Sequence, residues 1–258
     1  MQQTVERLYV LHGGYAVQPD RSVYTPGRWE KEQIVLPCHA YLIRRAGDWI
    51  LWDTGIDDSV FFQPGGQIIA HGLRGIVVRP LAQQLDEIGI GPGDISHVIL
   101  SHGHFDHIGN SALFSHARWH LHRSEHAAMF GREPERFGYV RAYLPPLLEA
   151  DMNLFDSDLD LFDDGSMTII STPGHTPGHC SLLVRLRQAG PILLAADVAH
   201  YAYNLEHRAV PSFNADHDAS VASMDRIAAI ADSESAQLWL NHDARQSAGL
   251  CKAPSFLD

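Results

Sequence analysis

Ser101–Asn110 reads SHGHFDHIGN and sets His102, His104, Asp106 and His107 within one short stretch. A solvated loop has no need of so many imidazoles beside a carboxylate, and a packed core would reject them. Read as a strand, the stretch puts His102, His104 and Asp106 on one face. Read as a helix, it makes neighbours of His104 and His107. A turn leaving a strand can instead aim two side chains at each of two metal ions. Imidazole nitrogen with carboxylate oxygen suits zinc, and also iron or manganese. The bland alternatives are a polar loop or a single structural ion.

Working outward, the apolar run HVIL ends directly at this cluster, and the same pattern recurs along the chain. Asp197 follows PILLAA, His242 follows QLWLN, and His179 stands just before CSLLV. RLYVLH, CHAYLIRR, DWILWDTG, ARWHLH and MTIIST also read as strands. RPLAQQLDEIGI reads as a helix starting near Pro80 and ending toward Gly89. DASVASMDRIAAIADS reads as a second, with Asp218 as N-cap and Val221, Met224, Ile227 and Ile230 at helical spacing. Strands and helices interleave in both halves without a linker, so residues 1–258 are expected to form one α/β domain. Gln18 to Lys31 and Phe130 to Asp160 fit neither pattern and are expected to wall a binding pocket. Metal-type side chains at strand margins, far apart in sequence, can converge on one rim of a sheet.

The composition narrows the partners. With 19 Lys and Arg against 31 Asp and Glu, the formal charge of −12 argues against nucleic acid and anionic membrane. No apolar run approaches the ~18 residues of a membrane span, and no secretory signal is evident at the start. Cys38, Cys180 and Cys251 are odd in number and form no CxxC pair, which suggests a reducing compartment; a cytoplasmic location is expected.

SHGHFDHIGN, STPGHTPGHCSL, AADV and LNHD, in that order, resemble the signature of the metallo-β-lactamase superfamily. The resemblance implies a four-layer αββα sandwich with two divalent metal ions, zinc foremost, along one edge. It implies that His102, His104 and His179 hold one metal, that Asp106, His107 and His242 hold the other, and that Asp197 bridges them. GHTPGH contains both His175 and His179; spacing does not choose, and the family pattern picks His179. Asp53 in LWDTG resembles the superfamily's hydrogen-bonding aspartate. His120 and His122 lie outside the signature and are expected at the surface or behind the ligands.

Within the superfamily, SVYTPG, LPCHAYLI, WILWDTGI and HFDH are similar to the N-acyl homoserine lactonases, the quorum-quenching enzymes, from about residue 8 to about 245. The implied activity is opening of the lactone ring by a hydroxide shared between the two metals, with Asp106 passing a proton to the leaving oxygen. Those lactonases commonly carry a tyrosine three residues after the bridging aspartate. Here that position is His200, followed by Tyr201, and either could meet the substrate carbonyl, or His200 could simply line the cavity. Trp29, Phe105, Met129 and Tyr143, with Phe130 and Tyr139 beside them, are the candidate apolar walls for an acyl tail.

The rivals on the same scaffold are hydrolases of thioesters, phosphoesters or other lactones. A glutathione thioesterase or a nuclease would want a basic patch, and a β-lactamase would usually be exported. An iron protein of this fold would usually carry an added flavin module, and a non-catalytic metal binder would hold ions without hydrolysing anything. A small acyl lactone is the expected partner, and the aromatic content of the irregular segments leaves room for a homodimer.

Overall fold

The protein is described by a computed structural model that covers residues 5–70 and 72–258. Its larger sheet contains β1 (Arg7–Gln18), β2 (Ile34–Arg45), β3 (Asp48–Trp52), β4 (Gln67–Ala70), β5 (Leu73–Ile76), β6 (Ile95–Ile99), β7 (Arg118–His122) and β8 (Asp151–Phe155), ordered β4-β5-β1-β2-β3-β6-β7-β8. The smaller sheet contains β9 (Leu159–Asp160), β10 (Met167–Ser171), β11 (Cys180–Arg185), β12 (Pro191–Leu194) and β13 (Gln237–Trp239), ordered β13-β12-β11-β10-β9. The helices are α1 (Leu81–Ile88), α2 (Phe105–Ile108), α3 (Arg123–Met129), α4 (Ala202–His207), α5 (His217–Glu234) and α6 (Ala244–Gly249).

Strand alternation explains the layers. Leu8, Val10, Ile43 and Ile50 of the first sheet meet Ile169, Leu182, Val184 and Leu194 of the second in one cluster, which forms the centre of the sandwich. Their neighbours Leu11, Leu42 and Leu51 point the other way, with Trp119, onto Leu81 and Leu85 of α1. Leu183 and Leu193 likewise turn outward onto Met224, Ile227 and Ala231 of α5. Both sheets are apolar on two faces, so each needs a cover on its outer side, and the result is the expected αββα order.

The α1 helix ends where expected, at Gly89 with φ 89°. The α5 helix begins earlier than Asp218, because Asp216 accepts the Ala219 amide as the N-cap. Gln18 to Lys31 is irregular apart from a turn at Arg21–Val23, and the second irregular stretch contains β8 and the short β9 among 3₁₀ turns.

The strand directions set the position of the site. β3 and β6 run parallel, as do β12 and β13, while β11 is antiparallel to both β10 and β12. The carboxyl ends of β3 and β6 therefore share one edge of the first sheet, and those of β10, β12 and β13 share one edge of the second.

Candidate metal centre

Five loops leave those strand ends. Asp53 follows β3, His102 to His107 follow β6, His175 and His179 lie between β10 and β11, Asp197 follows β12, and His242 follows β13. The loops lock together through close backbone approaches. A Cβ on Gly109 would fall 2.3 Å from the Asp57 amide, and one on Gly178 would fall 2.2 Å from the Glu125 amide. Only glycine fits at either place.

Outward hydrogen bonds fix which ring nitrogen each histidine turns inward. Ser101 Oγ donates to Asp53 Oδ2 at 2.8 Å and so receives the Nδ1–H of His102 at 3.0 Å. His104 donates from Nε2 to the Phe137 carbonyl (2.7 Å), and His175 from Nδ1 to Asn214 Oδ1 (3.0 Å). The inner nitrogens of these three rings therefore carry lone pairs. Yet His175 Nε2 lies 3.2 Å from His102 Nε2 and 3.0 Å from His104 Nδ1, and the last two are 3.0 Å apart. Three buried lone pairs meeting at this distance repel unless a cation stands among them.

The same holds on the other side of Asp197. His107 donates from Nδ1 to Asp53 Oδ2 (2.7 Å), and His242 from Nδ1 to the Pro37 carbonyl (2.8 Å). His107 Nε2 then faces Asp197 Oδ1 at 3.3 Å and Asp106 Oδ2 at 3.7 Å. His242 Nε2 faces Asp197 Oδ2 at 3.1 Å and Asp106 Oδ2 at 3.5 Å. His107 Nε2 and Asp197 Oδ1 are buried without a hydrogen-bond partner. The donor set and its orphaned atoms fit divalent cations on both sides of Asp197.

The electrostatics agree. Burial holds His102, His104 and His175 below the ordinary imidazole range, which keeps them unprotonated. His107 and His242 are buried as well, but Asp197 and Asp106 outweigh that and lift both, His242 to about 9.

His179, expected as a ligand, is corrected by the structure. Its Nε2 accepts the Asp197 amide at 3.0 Å, and its Nδ1 is 3.1 Å from the Thr172 carbonyl. Both nitrogens are used, so His179 anchors the loop that carries Asp197, and it is the Nε2 of His175 that meets His102 and His104. Asp53 is the hydrogen-bond organiser foreseen, receiving the Ser101 amide, the Ser101 hydroxyl and His107.

The sequence matches the family described as the metallo-beta-lactamase superfamily over residues 34–233. The chain belongs to that superfamily. Within it, the chain is 36% identical over 179 residues to the N-acyl homoserine lactonase AttM of Rhizobium radiobacter, covering 67% of each chain. It is 28% identical to an N-acyl homoserine lactonase of Bacillus sp over 98% of its own length and all of the relative's. A solved N-acyl homoserine lactone hydrolase, with the product N-hexanoyl-L-homoserine bound at its catalytic metal center, superposes with a TM-score of 0.85 at 25% identity, covering 98% of this chain and 100% of that one.

Above this superfamily centre lies a cavity of about 510 Å³. Tyr24, Leu36, Phe105, Phe137 and Phe213 form apolar walls, and Asp106, Asp197, His200 and His242 form part of the floor. Of the expected walls only Phe105 is there. Met129 is fully buried beneath Gly103, Trp29 meets Tyr203 edge-on with the Arg21 guanidinium over its ring, and Tyr143 lines a separate depression. Phe130 packs on the outer core, and Tyr139 is buried with its hydroxyl on Glu125.

Tyr201 also turns away. Its hydroxyl lies 2.5 Å from Thr25 Oγ1 and 3.4 Å from Arg21 Nε, so it ties the loop after β1 to the start of α4. His200 remains on the floor, stacked on His242 at 5.3 Å, with Nδ1 unpartnered and Nε2 3.4 Å from Asp197. His120 is buried against His97 away from the cavity, and His122 caps α3.

Sequence reasoning missed Glu125. This buried carboxylate accepts from the Gly103 and Gly178 amides, the Thr176 hydroxyl and the Tyr139 hydroxyl. It joins the His102–His104 turn to the loop of His175 and His179. The helical position of Glu125 in RSEHAAM carries no mark that separates it from a surface glutamate.

Proposed function

We propose that this protein is a metal-dependent N-acyl homoserine lactonase that holds two divalent ions, zinc in preference. The observation that carries the reading is the ring of five imidazole lone pairs and two aspartates beneath an apolar cavity. The likeness to named lactonases over 98% of the chain supports the substrate class. In this reading His102, His104 and His175 hold one ion, Asp106, His107 and His242 the other, and Asp197 serves both. When bound, such ions polarise the scissile carbonyl and bring the pKa of water near ~7. The nitrogen and oxygen donor set suits zinc and also accommodates iron, cobalt or manganese.

The remaining work falls to side chains. Burial keeps His200 neutral, down to about 3, so the ring has one N–H and one free nitrogen to offer. From the floor of the cavity it hydrogen-bonds the lactone carbonyl oxygen, where negative charge develops. Asp106, on the same floor, takes up the proton released by the attacking water and passes it to the ring oxygen as the ring C–O bond breaks. Tyr24, Phe105, Phe137 and Phe213 exclude water and pack the acyl tail. Among the described residues no helix is long and apolar enough to cross a membrane, and all three cysteines are free, in keeping with a reducing compartment.

The test is ring opening of N-hexanoyl homoserine lactone, followed by proton release, with zinc-loaded and chelated protein. Turnover that chelation abolishes is expected. A fully metallated protein that leaves the lactone intact but hydrolyses a thioester or phosphoester would overturn the substrate assignment.

A further inference from the structure

Cys38, in β2, points into the second half of the centre. Its Sγ lies 3.4 Å from Asp106 Oδ2, the same oxygen that is 3.5 Å from His242 Nε2. All three donor atoms lie within 4.8 Å of one another, and all three residues are buried. The preceding residue, Pro37, supplies the carbonyl that fixes the inward nitrogen of His242. Beyond Asp106, the thiol's one hydrogen-bond contact among the described residues is a long one, 3.7 Å, to the Leu36 carbonyl. Zinc bonds of about 2.0–2.2 Å to oxygen and nitrogen and about 2.3 Å to sulfur place donors roughly 3.3–3.7 Å apart in a tetrahedron. The two measured separations fall in that interval.

We propose that Cys38 is a sulfur ligand of the ion held by Asp106 and His242. The inference rests on the assignment of those two residues as metal ligands. On binding, the Cys38 S–H bond breaks, its proton goes to solvent, and the sulfur electron pair forms the bond to the metal. A thiolate shifts that half of the centre toward zinc, cobalt and cadmium and away from manganese. It also adds a negative charge, which lowers the net positive charge left by two dications.

The experiment is cobalt(II) reconstitution of a Cys251→Ser protein, which removes the one exposed thiol, followed by absorption spectroscopy. Visible ligand-field bands report cobalt among the histidines and aspartates. A near-ultraviolet sulfur-to-cobalt charge-transfer band reports the thiolate. Both are expected, and Cys38→Val should lose only the second while its preference for cadmium over manganese falls about tenfold or more. Ligand-field bands without the charge-transfer band, or a band that survives Cys38→Val, would overturn the thiolate ligand and leave the centre standing. Absence of both sets of bands would overturn the centre itself.

Discussion

His175 Nε2 stands 3.0 Å from His104 Nδ1, while His179, four residues on, gives its Nε2 to the Asp197 amide. Two histidines of one loop thus hold opposite offices. His175→Ala should lose about one equivalent of metal by atomic emission. His179→Ala should keep its metal more nearly but lose about 1–3 kcal/mol of stability, because a buried N–H is left unpaired. The reverse pattern would restore His179 as the ligand.

Adjacent His200 and Tyr201 should separate in the same way. His200→Phe removes the hydrogen-bonding ring from the cavity floor, and kcat should fall on the order of 10²–10³-fold, as for loss of an oxyanion donor. Tyr201→Phe should change kcat little and lower stability by about 1 kcal/mol through the lost bond to Thr25. Steady-state kinetics and thermal melts of the pair decide it, and a collapse of kcat in Tyr201→Phe would refute the assignment.

Glu125 is fully buried and receives four donors. Glu125→Ala should destabilise by about 3–5 kcal/mol and weaken metal binding by about 10–100-fold. Denaturant titration and chelator competition measure the two effects. Unchanged metal affinity would reduce Glu125 to a purely structural brace.

Buried histidines outside the candidate ligand set shape the acid limit. Burial lowers both His39 and His120 to about 3, with Lys252 adding to the effect at His39 and His97 at His120. In the unfolded chain they protonate near 6.5, so below that pH the unfolded state binds more protons and stability falls as pH drops toward 3. The slope approaches about 1.4 kcal/mol per pH unit for each histidine. Chemical denaturation between pH 7 and 4 should show this fall, and a His39→Gln, His120→Gln protein should show a flatter one. An equal slope in both would refute the source.

The sequence disclosed the parts of the centre that obey a local rule. His102, Asp197 and His242 each follow a short apolar run that reads as a strand, which sets them at a sheet margin. The choice between His175 and His179 obeys no local rule, since it depends on an amide 18 residues further along that reaches back across the loop. Cavity walls were hidden for a related reason. Trp29, Met129 and Tyr143 lie in segments of the expected kind, but which way each turns is settled by Arg21, Gly103 and the outer core. Asp216 and Asp218 look equally suited to cap α5, and only the fold shows which amide is within reach.

The candidate ligands span His102 to His242 and draw on both sheets, and this separation governs time as well as space. The half built from His102, His104 and His175 needs the two sheets docked, and the half that contains His242 needs β13 paired with β12 as well, contacts that close long distances in sequence. A nascent chain displays the His102–His107 cluster long before it has His242 to offer. An ion held by the full set of donors therefore ties together segments that the chain delivers far apart in time, from the loop after β6 to the loop after β13.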